Sequence, residues 1–303
     1  MSEATVTDEE KDEKDAAEEE EEEEDEKESS PPPAKASGAS GPAYERKGSG
    51  LANIWTIMKR EIGAYLNSPV AYILICLTLV GVGVYFFYYD GGTWQADRAS
   101  MSRLIGSSTA NGSPNFLPMI LCALTAPLFT MRALSEEKRM GTIELLITMP
   151  VKDSEVILGK YFAALSMVVV QLLLVIAYPL VMFKFPWHMG AFDWGPFWAG
   201  ILGLFLMSAA SIAIGMMFSS LTESQILSFF ATSATLAFLY VIGSVVQSVK
   251  GLPGDIIAFL SFQTRYEPFS RGLIDTRAVV YFLSIAIFGT LVAFRNLESR
   301  KWN

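Results

Sequence analysis

The sequence has very few of the side chains from which catalytic and metal sites are usually built. It contains one histidine, His188, and two cysteines, Cys76 and Cys122, each cysteine inside an apolar stretch. A single imidazole cannot form a multi-histidine metal site, and a cysteine in apolar surroundings behaves as a small hydrophobe. Two cysteines in such places also predict no disulfide framework. These absences argue against a metalloenzyme and against a disulfide-stabilised scaffold.

Two further absences concern the source of energy. A phosphate-binding loop of the form G-x-x-x-x-G-K-[ST] is missing, because the only Gly-Lys pair, Gly159-Lys160, is followed by Tyr161 and lacks the earlier glycine. We therefore expect no ATP hydrolysis by this chain and no other enzymatic activity. The long apolar runs contain no Asp, Glu, Lys or Arg. An ion-coupled carrier is disfavoured, since such carriers usually place charged groups inside the membrane.

Charge is distributed very unevenly along the chain. Residues 1–28 hold 17 acids and 3 lysines, whereas the remainder holds 15 acids and 20 bases. The acidic segment cannot bury apolar surface, and a linker rich in Pro, Ala, Ser and Gly follows it. We predict a disordered tail and linker over residues 1–50 and a membrane domain over residues 51–303. The tail is either a solubilising appendage or a ligand for a basic partner.

Long apolar runs are abundant. A helix needs about 20 apolar residues to cross the hydrocarbon of a bilayer, and six runs of that order occur. The sequence predicts an all-α polytopic membrane protein with six transmembrane helices, at residues 70–89, 116–131, 161–183, 197–218, 226–246 and 278–294.

The distribution of Lys and Arg predicts the orientation of these spans. Basic residues crowd the segment before the first span and the connection between the second and third spans, and they recur after the last span. Such segments usually stay in the cytoplasm, so both termini are expected there, in a plasma (inner) membrane. The connection at residues 250–277 also carries four bases but must be external if six spans are right.

A separate amphipathic helix is predicted before the first span. Apolar residues recur there at steps of three and four, and Ser68-Pro69 separates them from the span. We expect this basic helix to lie in the cytoplasmic interface; a simple extension of the span into water is the alternative. The apolar positions are Leu51, Ile54, Trp55, Met58, Ile62, Tyr65 and Leu66, with Asn53, Lys59 and Arg60 opposite.

The connection between the second and third spans has helix signals of its own. The charged run SEEKR ends at Gly141, a residue that readily closes a helix. Thr142 can then cap a new helix of about two turns, with Glu144 in its first turn, and Pro150 ends it. Asp153 or Ser154 is expected to cap the next helix. The short helix predicts a cytoplasmic docking element, and a plain connecting loop is the alternative.

The same connection carries a resemblance to a known family. The run EKRMGTIELLITMP, followed by LGK, resembles the signature of ABC-2 type transporter permeases. The positions concerned are Glu137, Gly141, Thr142, Glu144, Leu145, Leu146, Pro150, Leu158, Gly159 and Lys160. More narrowly, KREIGAYLNSPVAYI, SSLTESQI and YEPFSRGLIDTRAVVYFLS resemble the gliding-motility-associated ABC permease subfamily, so the likeness extends over residues 51–303.

This resemblance implies a function and a set of partners. It implies the permease subunit of an exporter, present as a homodimer or a heterodimer, whose coupling helix between spans two and three sits in a groove of a separate ABC ATPase. ATP and Mg would bind that ATPase, and this chain would carry no cofactor. The subfamily also implies an auxiliary membrane protein with an external domain. Membrane lipid is an expected partner and nucleic acid is not.

The resemblance also concerns the last external connection, where the family has short helices that re-enter the outer leaflet. Here Asp255 can cap a helix too short to cross, and a second short piece follows Pro268. Arg271, Gly272 and Asp275 lie in that piece. Arg271 and Asp275 are four residues apart and can pair on one helix face, either for packing or for contact with a substrate.

Other functions and several cargo classes stay open at this stage. A membrane anchor or scaffold would recruit cytoplasmic proteins through the acidic tail and the docking helix without moving cargo. An ion-coupled carrier is the other alternative. The apolar, charge-poor spans suit a lipid, a lipid-linked polysaccharide or a protein-like cargo.

Overall fold

The structure is a computed structural model, and it describes residues 50–84, 116–141, 152–180, 194–245 and 251–299. Every regular element in these ranges is helical, which confirms the all-α class. The helices are α1 (Gly50–Asn67), α2 (Pro69–Val84), α3 (Phe116–Ile120), α4 (Ala126–Thr130), α5 (Ser135–Arg139), α6 (Asp153–Pro179), α7 (Trp194–Leu221), α8 (Gln225–Val245), α9 (Leu252–Leu260), α10 (Phe262–Ser270) and α11 (Thr276–Ser299), with a π-helical turn at Leu121–Thr125. The predicted disordered tail lies outside the described residues.

Five stretches of the described chain are long and apolar enough to cross a membrane. They are Leu117–Arg139, Asp153–Tyr178, Trp194–Leu221, Gln225–Val245 and Thr276–Ser299. The pair α1 and α2, bent by 74°, gives a sixth if it is counted as one span. The chain is therefore a multi-pass membrane protein with five candidate spans in its described part. Residues 85–89 of the predicted first span lie outside that part.

The break between α1 and α2 falls where the sequence predicted it, at Ser68 and Pro69. Proline lacks an N–H and is tolerated in the first turn of a helix, where that donor has no intrahelical partner. Ser68 N–H donates to the Tyr65 carbonyl at 3.0 Å, and the Ser68 carbonyl accepts the Ala71 N–H at 3.3 Å. The chain thus ends one helix and starts the next within a single residue.

Helix α7 lies at the centre of the bundle. It is apolar or small on every side, and a helix of that kind is buried all round. Ile212, Ala213 and Met216 are fully buried, and so are the polar residues Ser208 and Ser211. Its neighbours α8 and α11 instead leave large apolar side chains exposed, among them Phe230, Phe238, Ile287 and Phe288.

Glycines allow the other helices to approach α7 closely. A Cβ added at Gly203 would lie 2.6 Å from Phe269 Cβ, and one at Gly215 would lie 2.0 Å from Thr130 Oγ1. On the other side, a Cβ at Gly289 of α11 would lie 2.8 Å from the backbone carbon of Ala213. Small residues at such crossings are typical of membrane helix pairs.

Polar residues within the spans hydrogen-bond in two ways, some within their own helix and others between helices. Thr125, Ser166 and Thr232 hydrogen-bond to carbonyls of their own helices. Ser211 and Ser233 bridge to the second span: Ser211 Oγ lies 3.2 Å from Cys122 Sγ, and Ser233 Oγ donates to the Ala123 carbonyl at 2.6 Å. Both bridges end on the π-helical turn, so they hold the one irregular stretch of the second span in place.

Two short helices precede the last span, but their bounds differ from the prediction. Helix α9 begins at Leu252 with Gly251 as its N-cap, so Asp255 lies within the first turn instead of capping it. Helix α10 is capped by Ser261, whose Oγ accepts the Thr264 N–H at 3.2 Å, and it contains Pro268. The second short piece therefore ends near Pro268 and does not begin after it.

The glycine crossings yield a stability prediction. Gly215→Ala should destabilise the protein by about 1–3 kcal/mol, because the new Cβ overpacks a buried site against Thr130. The measurement is the thermal unfolding of the purified full-length protein in detergent. Gly63→Ala is the matched control, since a Cβ at this position of α1 meets nothing within 4 Å. Equal melting temperatures for the two variants would contradict the close packing of α4 against α7.

Candidate functional site

A buried lysine ties together the elements on both sides of the connection between the second and third spans. Lys160 of α6 places its Nζ 3.1 Å from Glu61 Oε1 on α1 and 2.8 Å from Glu137 Oε1 on α5. The Lys160 side chain is only 5% exposed. We call Glu61, Glu137 and Lys160 the lysine cluster.

The charges of the lysine cluster stabilise one another. Burial alone would raise the pKa of the Glu61 carboxyl, but the Lys160 charge and the hydrogen bonds from Arg60 and Lys160 outweigh it, so this pKa lies below its usual value. Glu61 is therefore a carboxylate at neutral pH. Two carboxylates around one ammonium compensate the cost of burying Lys160, which would otherwise amount to several kcal/mol.

Gly159 explains how α1 comes close enough to α6 for these contacts to form. A Cβ at Gly159 would lie 2.7 Å from Ile57 Cγ2 and 3.3 Å from the Ile54 carbonyl oxygen. Any larger residue would push α1 away and lengthen the distance from Glu61 to Lys160. Gly159 thus leaves room for α1 to pack closely against α6, and the adjacent Lys160 binds α1 through Glu61.

A second polar contact holds α1 at the beginning of α6. Asn53 Nδ2 donates to Glu155 Oε2 at 2.9 Å, and the same carboxylate lies 3.4 Å from the Lys152 N–H. The prediction that Asp153 or Ser154 caps α6 is wrong: Lys152 is the N-cap residue, and Glu155 supplies the side-chain oxygen from within the first turn. Asn53 was expected on the polar face of α1, but it faces α6.

The predicted apolar side of α1 contacts α6 along one edge and is exposed along the other. Ile54 and Ile57 approach α6 at Gly159. Leu51, Trp55 and Leu66, which share one stripe at 100° per residue, are 79%, 62% and 43% exposed. The location of α1 in the membrane interface stays a prediction.

The predicted coupling residues are divided between described and undescribed parts of the chain. Helix α5 covers the SEEKR run, and Gly141 has a φ of 68°, as expected for a residue that closes a helix. Thr142, Glu144, Leu145, Leu146 and Pro150 lie outside the described residues, so the short helix stays a prediction. On its two sides, however, Glu137 and Lys160 are in direct contact. Helices α5 and α6, on the two sides of residues 142–151, are therefore held together.

Helix α7 also anchors the near end of this connection. Ser219 Oγ accepts the Leu134 N–H at 3.0 Å and the Ser135 N–H at 3.1 Å. These are donors at the start of α5 that have no intrahelical acceptor. Sequence reasoning missed Ser219, and it assigned no role to Glu61, Asn53 or Glu155. The available signal for Glu61 was a single acid within an otherwise basic helix.

The external-loop residues predicted from the resemblance shape the turn between α10 and α11. Arg271 pairs with Glu267 of α10 and not with Asp275. The Asp275 Oδ1 instead accepts the Arg277 N–H at 2.9 Å, as a residue preceding a helix commonly does. Gly272 has a φ of 85°, and a Cβ there would lie 3.2 Å from Pro196. A role of these residues in substrate contact stays a prediction.

The chemistry available in this region is electrostatic and mechanical. Within the described ranges, no group of three or more His, Cys, Asp or Glu side chains is placed to hold a metal ion. The lysine cluster is a set of ion pairs between three helices, and its effect is to fix their relative positions.

The sequence model of a family described as ABC-2 family transporter protein matches residues 105–271. This is more than half of the chain, and it includes Glu137, Lys160 and the whole of α7. No curated protein matches the chain. Proteins of this family are generally non-catalytic membrane components that work with an ABC ATPase subunit. The chain belongs to the ABC-2 transporter family and is a membrane permease component of an ABC transporter.

Proposed function

We propose that this chain is the permease subunit of an ATP-driven exporter and that residues 142–149 transmit the motion of a separate ABC ATPase. The observation that carries the proposal is the contact of Lys160 with both Glu137 and Glu61. It links the two ends of the proposed coupling helix to each other and to α1. ATP and Mg bind the ATPase, and the permease responds to its closure.

The lysine cluster provides a path for that motion. Force on residues 142–149 reaches α5 and α6 together, because Glu137 and Lys160 hold the two ends of the connection at one place. Helix α6 is a continuous helix of 27 residues and carries the displacement into the bundle. Near its start, Tyr161 donates a hydrogen bond to the Ala209 carbonyl of α7 at 3.1 Å, so the central helix moves with it.

The arrangement of the assembly follows from charge and exposure. The basic residues around α1 and α5 favour a cytoplasmic location for both termini and for the coupling connection, in the plasma (inner) membrane. The exposed apolar faces of α8 and α11 favour burial against lipid or against a second permease, in a homodimer or a heterodimer. The resemblance to gliding-motility-associated permeases adds an auxiliary membrane protein with an external domain. The charge-poor spans favour a lipid, a lipid-linked polysaccharide or a protein-like cargo.

Two variants of the lysine cluster should separate its contribution to stability from its contribution to coupling with the ATPase. Lys160→Met removes the cation that lies between Glu61 and Glu137, and it should cost about 3–5 kcal/mol of stability. The triple variant Glu61→Gln, Glu137→Gln and Lys160→Met removes the charges on both sides and should regain most of that stability. We expect it to lose permease-dependent stimulation of ATP hydrolysis in proteoliposomes that also contain the ATPase.

The control for these variants is Arg295→Gln with Glu298→Gln, which removes an exposed pair on α11 and should change little. A triple variant that melts like the unmodified protein and keeps full stimulation would show that the cluster only stabilises the fold. Thermal unfolding and ATP hydrolysis are measured on the same preparations.

Residues 142–149 should be required for binding the ATPase. Glu144→Lys combined with Leu146→Ala reverses one charge and removes one apolar contact, and it should reduce co-purification of the ATPase at least about tenfold. Leu273→Ala is the control, since Leu273 is 64% exposed in the connection before α11. Unchanged association and unchanged ATP hydrolysis in the double variant would remove the docking role.

The orientation is tested by labelling single cysteines in intact cells. In a background of Cys76→Ser and Cys122→Ala, Met149→Cys should react with a membrane-impermeant maleimide only after the cells are opened. Leu273→Cys should react from outside. Labelling of Met149→Cys from outside would place the connection on the wrong side of the membrane for any cytoplasmic ATPase.

A further inference from the structure

A cleft opens on the inside of the bend between α1 and α2. Its volume is about 160 Å³, and it is bounded by the two helices on one side and by α4, the following turn and α5 on the other. The bend of 74° keeps the helices from closing over it. The cleft lies beside the lysine cluster, because Glu61 belongs to both.

One part of the cleft wall is apolar and another is charged. Val70, Leu74, Leu128 and Phe129 supply apolar surface from α2 and α4. The charged groups are Glu61, Arg132 and Glu136, with the Ser68 backbone and side chain at the bend itself. A wall of this kind suits a ligand that has a polar end and an apolar end.

Of the charged side chains that line the cleft, Arg132 and Glu136 are available to bind a ligand. Glu61 is already engaged by Lys160 and Arg60. The side chains of Arg132 and Glu136 form no ion pair or hydrogen bond with any other described residue, although both line the cleft. Arg132 lies in the turn at residues 131–134 and Glu136 lies in α5, so the two are not placed as residues four apart on one helix would be.

We propose that this cleft binds the headgroup of a membrane phospholipid that carries both a phosphate and a primary ammonium, as phosphatidylethanolamine does. The Arg132 guanidinium is suited to the phosphate, since its planar donors match two phosphate oxygens. The Glu136 carboxylate accepts hydrogen bonds from the ammonium. The apolar wall receives the glycerol and the first carbons of the acyl chains.

The chemistry of the cleft selects against other lipids. A headgroup with a phosphate and no ammonium would place its negative charge near Glu136 without compensation. A quaternary ammonium has no N–H to donate to that carboxylate. The exposed apolar stripe of α1, formed by Leu51, Trp55 and Leu66, brings the cleft to the level of the lipid headgroups.

The experiment is native mass spectrometry of the full-length protein in detergent, with phospholipids that share the same acyl chains and differ in the headgroup. Phosphatidylethanolamine should be retained about tenfold more than phosphatidylglycerol or phosphatidylcholine. Arg132→Gln and Glu136→Gln should each reduce its retention about tenfold, the effect of losing one charge-assisted hydrogen bond. Arg139→Gln is the matched control, because Arg139 is exposed on α5 and does not line the cleft.

A further variant tests whether the reduced lipid retention comes from the cleft itself and not from misfolding. Ala64 is exposed and lines the cleft, so Ala64→Trp fills the mouth of the cleft without entering the core and should abolish the selective retention. Equal retention of the three lipids by the unmodified protein would overturn the proposal, as would unaltered retention in Arg132→Gln and Glu136→Gln. Displacement of the lipid by an equal concentration of free phosphoethanolamine would assign the cleft to a soluble ligand instead. The lipid measurements are made on the protein without the ATPase, so they test the lipid site separately from the proposed coupling role.

Discussion

Burying an ammonium group in a protein costs several kcal/mol unless anions lie beside it, and in this permease that cost is compensated at one point where three helices meet. Lys160 is nearly inaccessible to solvent, and its charge is matched by carboxylates from α1 and α5. Neither carboxylate is near Lys160 in sequence. The helix that precedes the first span and the helix that precedes the coupling connection are thus both fixed against the beginning of the third span.

The same need for nearby anions explains the residue before the lysine. Ion pairs weaken with distance, and the side chains of Lys and Glu have limited reach, so the backbones of α1 and α6 must approach closely. Gly159 permits this approach, since a Cβ would meet Ile57 at 2.7 Å. Gly215 and Gly289 do the same around α7, where no charge is involved. Close helix approach through glycine is therefore common to the bundle, and at Gly159 it also serves an electrostatic contact.

The sequence predicted the positions of the helices far better than it predicted which helix each side chain contacts. Apolar runs locate the spans because the bilayer imposes a fixed length, and the Ser68-Pro69 break and the end of α5 at Gly141 follow from backbone chemistry. The faces of α1 were beyond such reasoning, since periodicity separates polar from apolar sides but does not tell protein from lipid. Asn53 and Glu61 are polar residues that face α6. Helix α10 was placed wrongly because Pro268 was taken as a boundary, whereas it lies in the last turn of the helix.

The ionic nature of the lysine cluster fits a joint that has to hold its geometry while under force. Apolar side chains of similar volume would stabilise the fold as well or better, because a buried ion pair costs much of what it contributes. Apolar contact is not directional, so two helices joined only by it can slide by a residue with little loss. A lysine bound to two specific carboxylates has one arrangement in which its ammonium contacts both, and a shift of α5 or α1 relative to α6 lengthens one of these two ion pairs. In the function proposed above, such a joint converts displacement of the connection by the ATPase into displacement of whole helices.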